Sequence, residues 1–334
     1  MILGELLGKG NYAKVYALGH DKVAKVIEIK SNTLFTAFVE ISVLKKLDHP
    51  CIPKILDVIR DDNFIYLIMP RYSKTRPESL TVFNEFLKMV DTLNYLEQCG
   101  IVHGDISIEN IMYSNTGPVI IDFGLAAVCP HGELIYFSDF YEPDYYRKIQ
   151  APYYRSPTVW NEEAYDSRID LWSYFCCLYE WILHGENAGN KDFEPLFPVR
   201  TKFHFFGIFV TALENVKKLP ENHVLTPWVK KYFQESSKKL LVLEYSASET
   251  SSFLEFRASE LAIQLNLPRY AKINIDDSLD SFVRRLTNFV TNPKDFNFGI
   301  NFLKGNNCCK YQVFAGFGVL TCDVFEKIDC QLYS

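Results

Sequence analysis

The sequence lacks several features that would decide its class at once. Among its nine cysteines there is no C-x-x-C pair, which gives no support to a zinc ribbon or a redox motif. Four of them stand as doublets, Cys176–Cys177 and Cys308–Cys309, which do not resemble a disulfide framework, so free thiols in a reducing compartment are expected. No apolar run reaches the roughly 18 residues needed to span a bilayer. The longest, Leu171–Leu183 and Phe203–Leu213, are interrupted by Glu180 and His204 and are expected to be buried helices. The opening residues MILGELL carry no charged leader region. Positive charge is not in excess: 35 Lys and Arg face 41 Asp and Glu, a net charge of −6. That balance gives no support for nucleic-acid or membrane partners. A soluble cytoplasmic protein is expected.

What is present is ordinary globular material: 334 residues, 48% hydrophobic and 23% charged. The length suits two domains, or one two-lobed domain with an extension. Alternating apolar residues predict strands at Ile2–Leu7, Val15–Leu18, Val23–Ile29, Ile52–Ile59 and Phe64–Met69. Residues 34–47 change to a helical period, and His49–Pro50 ends that helix. Val82–Gln98 reads as an amphipathic helix with Gly100 as its C-terminal cap. Short strands are expected at 101–103, 111–113 and 118–121. Residues 129–150 read as a long loop, and helices dominate from Asp170 onward, with a polar interruption at Ser246–Ser252. Five strands and one helix followed by a helical region predict an α+β, two-lobed architecture with a small β-rich lobe and a large helical one.

Three patterns carry chemistry. Gly8-Lys9-Gly10 lies between two predicted strands, where glycines let backbone N–H groups approach phosphate oxygens. Hairpin glycines are common, so this pattern is weak alone. Lys25 sits in the middle of an apolar strand, an expensive place for an unpaired charge, unless it takes the solvent face. Glu40 on the following helix offers a partner. The strongest pattern is His103-Gly104-Asp105-Ile106-Ser107-Ile108-Glu109-Asn110, followed by Asp122-Phe123-Gly124. An Asp, an Asn five positions on, and a second Asp beyond a short hairpin can converge on one metal–phosphate site.

With these pieces in this order, residues 1 to about 270 resemble a eukaryotic-type protein kinase, a divergent serine/threonine kinase by family default. Asp170-Leu171-Trp172-Ser173 and Arg257-Ala258-Ser259 add to the likeness, and Tyr153-Tyr154-Arg155-Ser156-Pro157 is similar to the activation-segment ending of dual-specificity and cyclin-dependent-type kinases. The resemblance implies transfer of the γ-phosphoryl group of ATP, with Mg²⁺, to hydroxyls of a protein substrate. It implies that Lys25, oriented by Glu40, holds the α- and β-phosphates, that Asp122 and Asn110 ligate metal, and that Asp105 accepts the substrate proton. Gly8 and Gly10 would cover the phosphates. Val15, Val23 and Met112 would enclose adenine, with Met69 behind it and Pro70 and Tyr72 hydrogen-bonding its edge. Leu44, Ile55, His103 and Phe123 would form an apolar column between the lobes, anchored by Asp170. The implied division is a small lobe over 1–72, a large lobe over 73–270, and an extension over 271–334 that could offer a docking element. The pared-down small lobe would suit a compact kinase such as one from a large DNA virus.

Five positions depart from the family pattern. Gly104 stands where an arginine usually pairs with an activation-loop phosphate. Ser107 replaces a lysine, Ala151 replaces the threonine that lysine normally meets, and Thr158 replaces a glutamate that would pair with Arg257. Ala13 replaces a third loop glycine. These changes keep two other readings open: a pseudokinase serving as a nucleotide-binding scaffold, and a small-molecule kinase on the same fold.

Overall fold

The computed structural model describes residues 2–10, 12–29, 31–129, 133–135, 149–160, 164–189, 196, 213–245, 256–270, 300–302, 311–315 and 318–320. The expected helix over 203–213 (save Leu213), the polar interruption at 246–252 and most of the loop at 129–150 lie outside them, as does most of the extension.

The chain begins with five strands: β1 (Leu6–Lys9), β2 (Ala13–Leu18), β3 (Lys22–Glu28), β4 (Asp57–Arg60) and β5 (Phe64–Pro70). They form one antiparallel sheet in the order β1-β2-β3-β5-β4. Two strands start more than two residues away from the expectation. β1 starts at Leu6 and takes in Gly8 and Lys9, which pair with Val15 and Lys14 across a register shift. The turn therefore lies further on, where the Gly10 N–H reaches the Ala13 carbonyl at 2.9 Å. β4 starts only at Asp57, because Pro53 has no N–H for a ladder and Ile52 N–H bonds the His49 carbonyl in a turn.

Between β3 and β4 runs α1 (Ser31–Lys46). Its Ala37 and Ile41 pack with Ile27, Val58, Ile65 and Leu67 of the sheet. Val39, Val43 and Leu44 belong instead to the main core below. The helix thus joins two cores, which explains why its apolar residues do not keep to one stripe.

Helix α2 (Val82–Gln98) matches the expected span. Thr81 caps its start by accepting the Asn84 N–H at 3.2 Å. Phe86, Met89, Val90, Leu93 and Leu96 form its buried face. Gly100 follows the end with φ 65, as a left-handed cap residue should. Short strands β6 (Ile101–Val102), β7 (Ile111–Ser114), β8 (Gly117–Ile120) and β9 (Ala127–Val128) pair as β6·β9 and β7·β8. Helices α3 (Pro157–Trp160), α4 (Arg168–His184), α5 (Thr226–Tyr245) and α6 (Ala258–Gln264) complete the helical part. Helix α4 is buried over most of its length, and Phe175 stacks on Tyr232 of α5 at 3.9 Å between ring centroids. The sheet-first, helix-after order gives the two-lobed α+β fold. Within the extension, Ile300–Phe302, Tyr311–Ala315 and Gly318–Leu320 pair as a separate three-stranded antiparallel sheet.

Candidate functional site

Strand alternation sets the upper wall. Residues opposite one another in an antiparallel sheet share a face, and Val15 lies opposite Lys25 while Val23 lies opposite Met69. Val15, Val23, Lys25 and Met69 therefore share one face, with Ala24, Val26 and Ile68 packed together on the other. The Lys25 ammonium meets Glu40 of α1 at 2.8 and 2.6 Å and Asp122 at 2.8 Å. This answers the question of an expensive buried lysine: two carboxylates offset it. Burial works against the Lys25 charge, but Glu40 and then Asp122 outweigh it and raise its pKa. Burial pushes the Glu40 carboxyl up against the pull of Lys25. The Glu40 side chain is only 3% exposed, so it acts on the site through Lys25.

Asp122 follows β8 with φ 65, a left-handed backbone uncommon outside glycine, and caps a short turn at Phe123–Leu125. Such strained residues cluster at functional sites. Its side chain is 47% exposed, so its carboxylate stays accessible while bonded to Lys25. Burial raises its pKa, but the Lys25 charge and hydrogen bond prevail and hold it below the usual range.

The pattern over 103–110 is built on backbone bonds. Asp170, in the first turn of α4, accepts the His103 and Gly104 N–H groups at 2.6 and 2.9 Å. His103 Nδ1 accepts the Asp105 N–H at 3.2 Å, which leaves Nε2–H to donate to the Ile121 carbonyl at 3.1 Å. Burial lowers the His103 pKa to about 4, which keeps that tautomer neutral. Its ring sits 4.6 Å from that of Phe123. Leu44 and Phe123 are in the same core, with Ile55 packed against it. The Asn110 amide donates to both the carbonyl and the Oδ2 of Asp105 at 2.9 Å. The Asn110 carbonyl accepts the Ile121 N–H at 2.9 Å, beside Asp122. Burial, and next the charge of Asp122, push the Asp105 carboxyl up to about 7.

The remaining predicted positions fall around this centre. Met112 lies on β7 opposite Val119. Pro70 ends β5, and Tyr72 stands between Arg71 and Ser73, whose N–H groups bond the Asp21 and Tyr113 carbonyls. A Cβ built on Gly8 would meet nothing within 4 Å, and one on Gly10 only the Ala13 carbonyl at 3.8 Å. Packing within the protein does not demand those glycines, so they leave open space over the loop.

The departures also have structural settings. Gly104 has φ 75, and a Cβ there would lie 2.9 Å from the Leu125 carbonyl oxygen. Ser107 is buried. The expected loss of an ion pair at Arg257 does not occur. Arg257 donates to Asp166 at 2.8 Å and to Glu97 at 3.4 Å, so Asp166 and Glu97 take the place of the glutamate that Thr158 replaces. Two residues that the sequence reading missed now stand out: Asp166, and Gln150, which is fully buried between the catalytic loop and α4. Neither has a spacing signature. The nearest sequence signals are an amide in the run Ile149-Gln150-Ala151-Pro152 and the Asp166-Ser167-Arg168 entry to α4.

A sheet-over-helices fold with a lysine, two aspartates and an asparagine at the join defines a phosphotransferase class of site. The protein kinase domain family matches residues 1–224, and the chain belongs to that family. A probable cell division protein kinase of Encephalitozoon cuniculi is 28% identical over 216 residues, which cover 60% of this chain and 75% of that one. Calcium-dependent protein kinase 3 of Plasmodium yoelii yoelii is 34% identical over 228 residues, 61% of this chain and 40% of its own. CBL-interacting protein kinase 12 of Oryza sativa subsp. japonica is 28% identical over 193 residues, 51% and 34% respectively. The chain thus spans about two-fifths and a third of the last two. Among the described residues, no helix is long and apolar enough to cross a membrane.

Proposed function

We propose that this protein is an active kinase that transfers the γ-phosphoryl group of ATP, with Mg²⁺, to serine or threonine hydroxyls of protein substrates. The observation that carries this reading is the Lys25–Glu40–Asp122 contact set beside the Asp105–Asn110 pair. It supports a site in which every group needed for phosphate, metal and proton stands together.

The donor set fits the metal. Among the described residues no group of three or more His, Cys, Asp or Glu could hold an ion by itself. That suits Mg²⁺, which binds through one or two protein groups plus phosphate oxygens and water rather than an all-protein cage. Asp122 and Asn110 would hold it, and when bound it would neutralise charge on the transferring phosphoryl group. Lys25 presents its ammonium to phosphate oxygens, held in place by Glu40. Gly8 and Gly10 let the β1–β2 loop come close to the phosphates. Val15, Val23 and Met112 enclose adenine, Met69 closes the pocket behind it, and Pro70 and Tyr72 offer a carbonyl and an N–H. Asp105 orients the substrate hydroxyl and takes its proton. Positioning and charge neutralisation supply the rate.

We assign the small lobe to 1–72 and the large lobe to 73–270, and leave 271–334 as an extension that could offer a docking element. Four free, buried cysteines among the described residues, Cys51, Cys99, Cys176 and Cys177, support a reducing compartment, which we take to be the cytoplasm. A second reading, a nucleotide-binding pseudokinase, draws on Ser107 and Ala151, which leave the substrate side without its usual lysine–threonine contact. Label transfer from γ-labelled Mg·ATP to a generic protein substrate, run beside Asp122→Ala, tests the choice. Label lost in the variant, with phosphoserine or phosphothreonine as product, supports the first reading. No label above the variant, with nucleotide still bound, supports the second.

A further inference from the structure

Gln150 lies two residues before the 3₁₀ turn Pro152–Tyr154, and it is fully buried. Every polar atom it owns is used. Its N–H donates to the Gly104 carbonyl at 2.7 Å. Its carbonyl accepts from the Arg155 Nε and Nη2 at 3.3 and 3.0 Å. Its side-chain Nε2 donates to the Ile169 carbonyl at 2.8 Å and the Ser173 Oγ at 2.6 Å. Its Oε1 accepts the Ser156 N–H at 2.9 Å. This residue nevertheless holds φ 56, a left-handed value that a β-carbon disfavours. A non-glycine residue stays there only when its surroundings over-determine it.

These bonds close a ring. Gly104 N–H reaches Asp170, Asp170 is bonded in sequence to Ile169, Ile169 accepts from the Gln150 amide, and Gln150 N–H returns to the Gly104 carbonyl. Gly104, the residue that precedes Asp105, is therefore held at both its N–H and its carbonyl, once by a carboxylate of α4 and once by a residue that α4 itself holds. We propose that Gln150 is a positioning residue for Asp105, a neutral clamp that sets the catalytic loop against helix α4. The proposal rests on the kinase reading above for its kinetic consequence but not for its structural one.

The side chain and the backbone make separable demands. Gln150→Met keeps most of the volume and loses the amide. With nothing to hold φ at 56°, the backbone relaxes and withdraws its N–H from Gly104. Gln150→Gly leaves a cavity but adopts positive φ freely, so it retains more of the N–H contact. If Gln150 served packing alone, Gly would be the worse variant. If it acts by holding the backbone, Met is.

The test measures turnover and amide hydrogen exchange on the full chain for wild type, Gln150→Met, Gln150→Gly and Ser173→Ala. Expected for Gln150→Met are faster exchange over residues 101–107, unchanged exchange over Lys25 and Glu40, and kcat lower by about 10²-fold with KM for Mg·ATP within about twofold. Gln150→Gly should lose less, and Ser173→Ala, which removes one acceptor, least. Should Gln150→Met fail to fold, the Gly and Ser173→Ala chains carry the same comparison. Unchanged exchange over 101–107, a uniform rise across the protein, or Gly worse than Met overturns the proposal. If wild type transfers no phosphate, the kinase reading fails and the exchange pattern alone decides the clamp.

Discussion

The two sides of the site are held by different kinds of force. On the sheet side, the Glu40 and Asp122 carboxylates each lie within 2.8 Å of the Lys25 ammonium. Around Gln150, positions where relatives in this superfamily place charged or bridging groups hold Gly104, Ser107, Ala151 and Thr158, and neutral hydrogen bonds from Gln150, Ser156 and Ser173 join the chain there, beside an Arg155 guanidinium that bonds the Ile149 and Gln150 carbonyls. The difference teaches where charge is replaceable. A cation that meets phosphate oxygens has no neutral substitute, because its work is Coulombic. A contact whose work is geometry can be rebuilt from amides and hydroxyls, provided that each is satisfied.

The largest effect should come from breaking the charged side. Lys25→Met leaves the Glu40 and Asp122 carboxylates facing each other without their cation. Breaking a buried pair in this way costs about 3–5 kcal/mol, read by urea denaturation, and phosphate transfer by the folded fraction should fall by at least about 10²-fold. A loss below about 1 kcal/mol would put this pair in the class of surface ion pairs and remove the contrast between the two sides.

Restoring charge to the neutral side should cost less and give nothing back. Gly104→Arg puts a Cβ against the Leu125 carbonyl at 2.9 Å on a backbone with φ 75, for about 1–3 kcal/mol of strain. Denaturation midpoints check the stability, and transfer assays before and after phosphatase treatment check the function. Activity that rises and becomes phosphatase-sensitive would show that the neutral clamp is no substitute for an arginine.

The two sides were also unequally legible. Lys25, Glu40, Asp105, Asn110 and Asp122 announce themselves because a charge in an apolar strand or a carboxylate–amide spacing is visible along the chain. Helix α2 was legible to the residue, since its apolar face and Gly100 stop agree. Gln150 was not, because its partners lie 46, 19 and 23 positions away at Gly104, Ile169 and Ser173, and an amide in a short apolar run has no period to betray it. Arg257 misled for the same reason. Its absent glutamate was visible in sequence, whereas Asp166, 91 positions away, was not.

A smaller effect separates function from stability at Asp105. Its carboxyl is raised from 3.8 to about 7 in the folded protein, by burial and then by Asp122. The folded state therefore binds the proton more tightly than the unfolded chain does. Its contribution to stability is fully present below pH 4 or so and is lost as pH rises through about 7. Asp105→Asn should remove that slope and, at pH 8, stabilise the nucleotide-free protein on the order of 1–2 kcal/mol while reducing transfer by about 10²–10⁴-fold. Unfolding curves for both proteins between pH 4 and 8 check this. Parallel curves would mean that Asp105 does not carry the burden of its position.

The smallest effect provides the control for the comparison itself. Tyr270, beyond α6, donates its hydroxyl to Asp91 of α2 at 2.9 Å and packs edge-on against Tyr95 at 5.2 Å. Nearby, the Asn94 amide reaches the Pro268 carbonyl at 3.3 Å, so this short segment is pinned along α2. Tyr270→Phe keeps the ring and removes one hydrogen bond to the Asp91 carboxylate, for about 1.5 kcal/mol. It is a single side-chain hydrogen bond, like each of those that Gln150 makes, but it lies away from the 103–110 loop. Stability should fall by that amount, and transfer should stay within about twofold of wild type. Equal kinetic losses in Tyr270→Phe and Gln150→Met would mean that any loosening of the helical part slows the enzyme, and that neutral bonds around Gln150 hold no special place. A loss confined to Gln150→Met ties the effect to the ring through Gly104, and so to the geometry of Asp105.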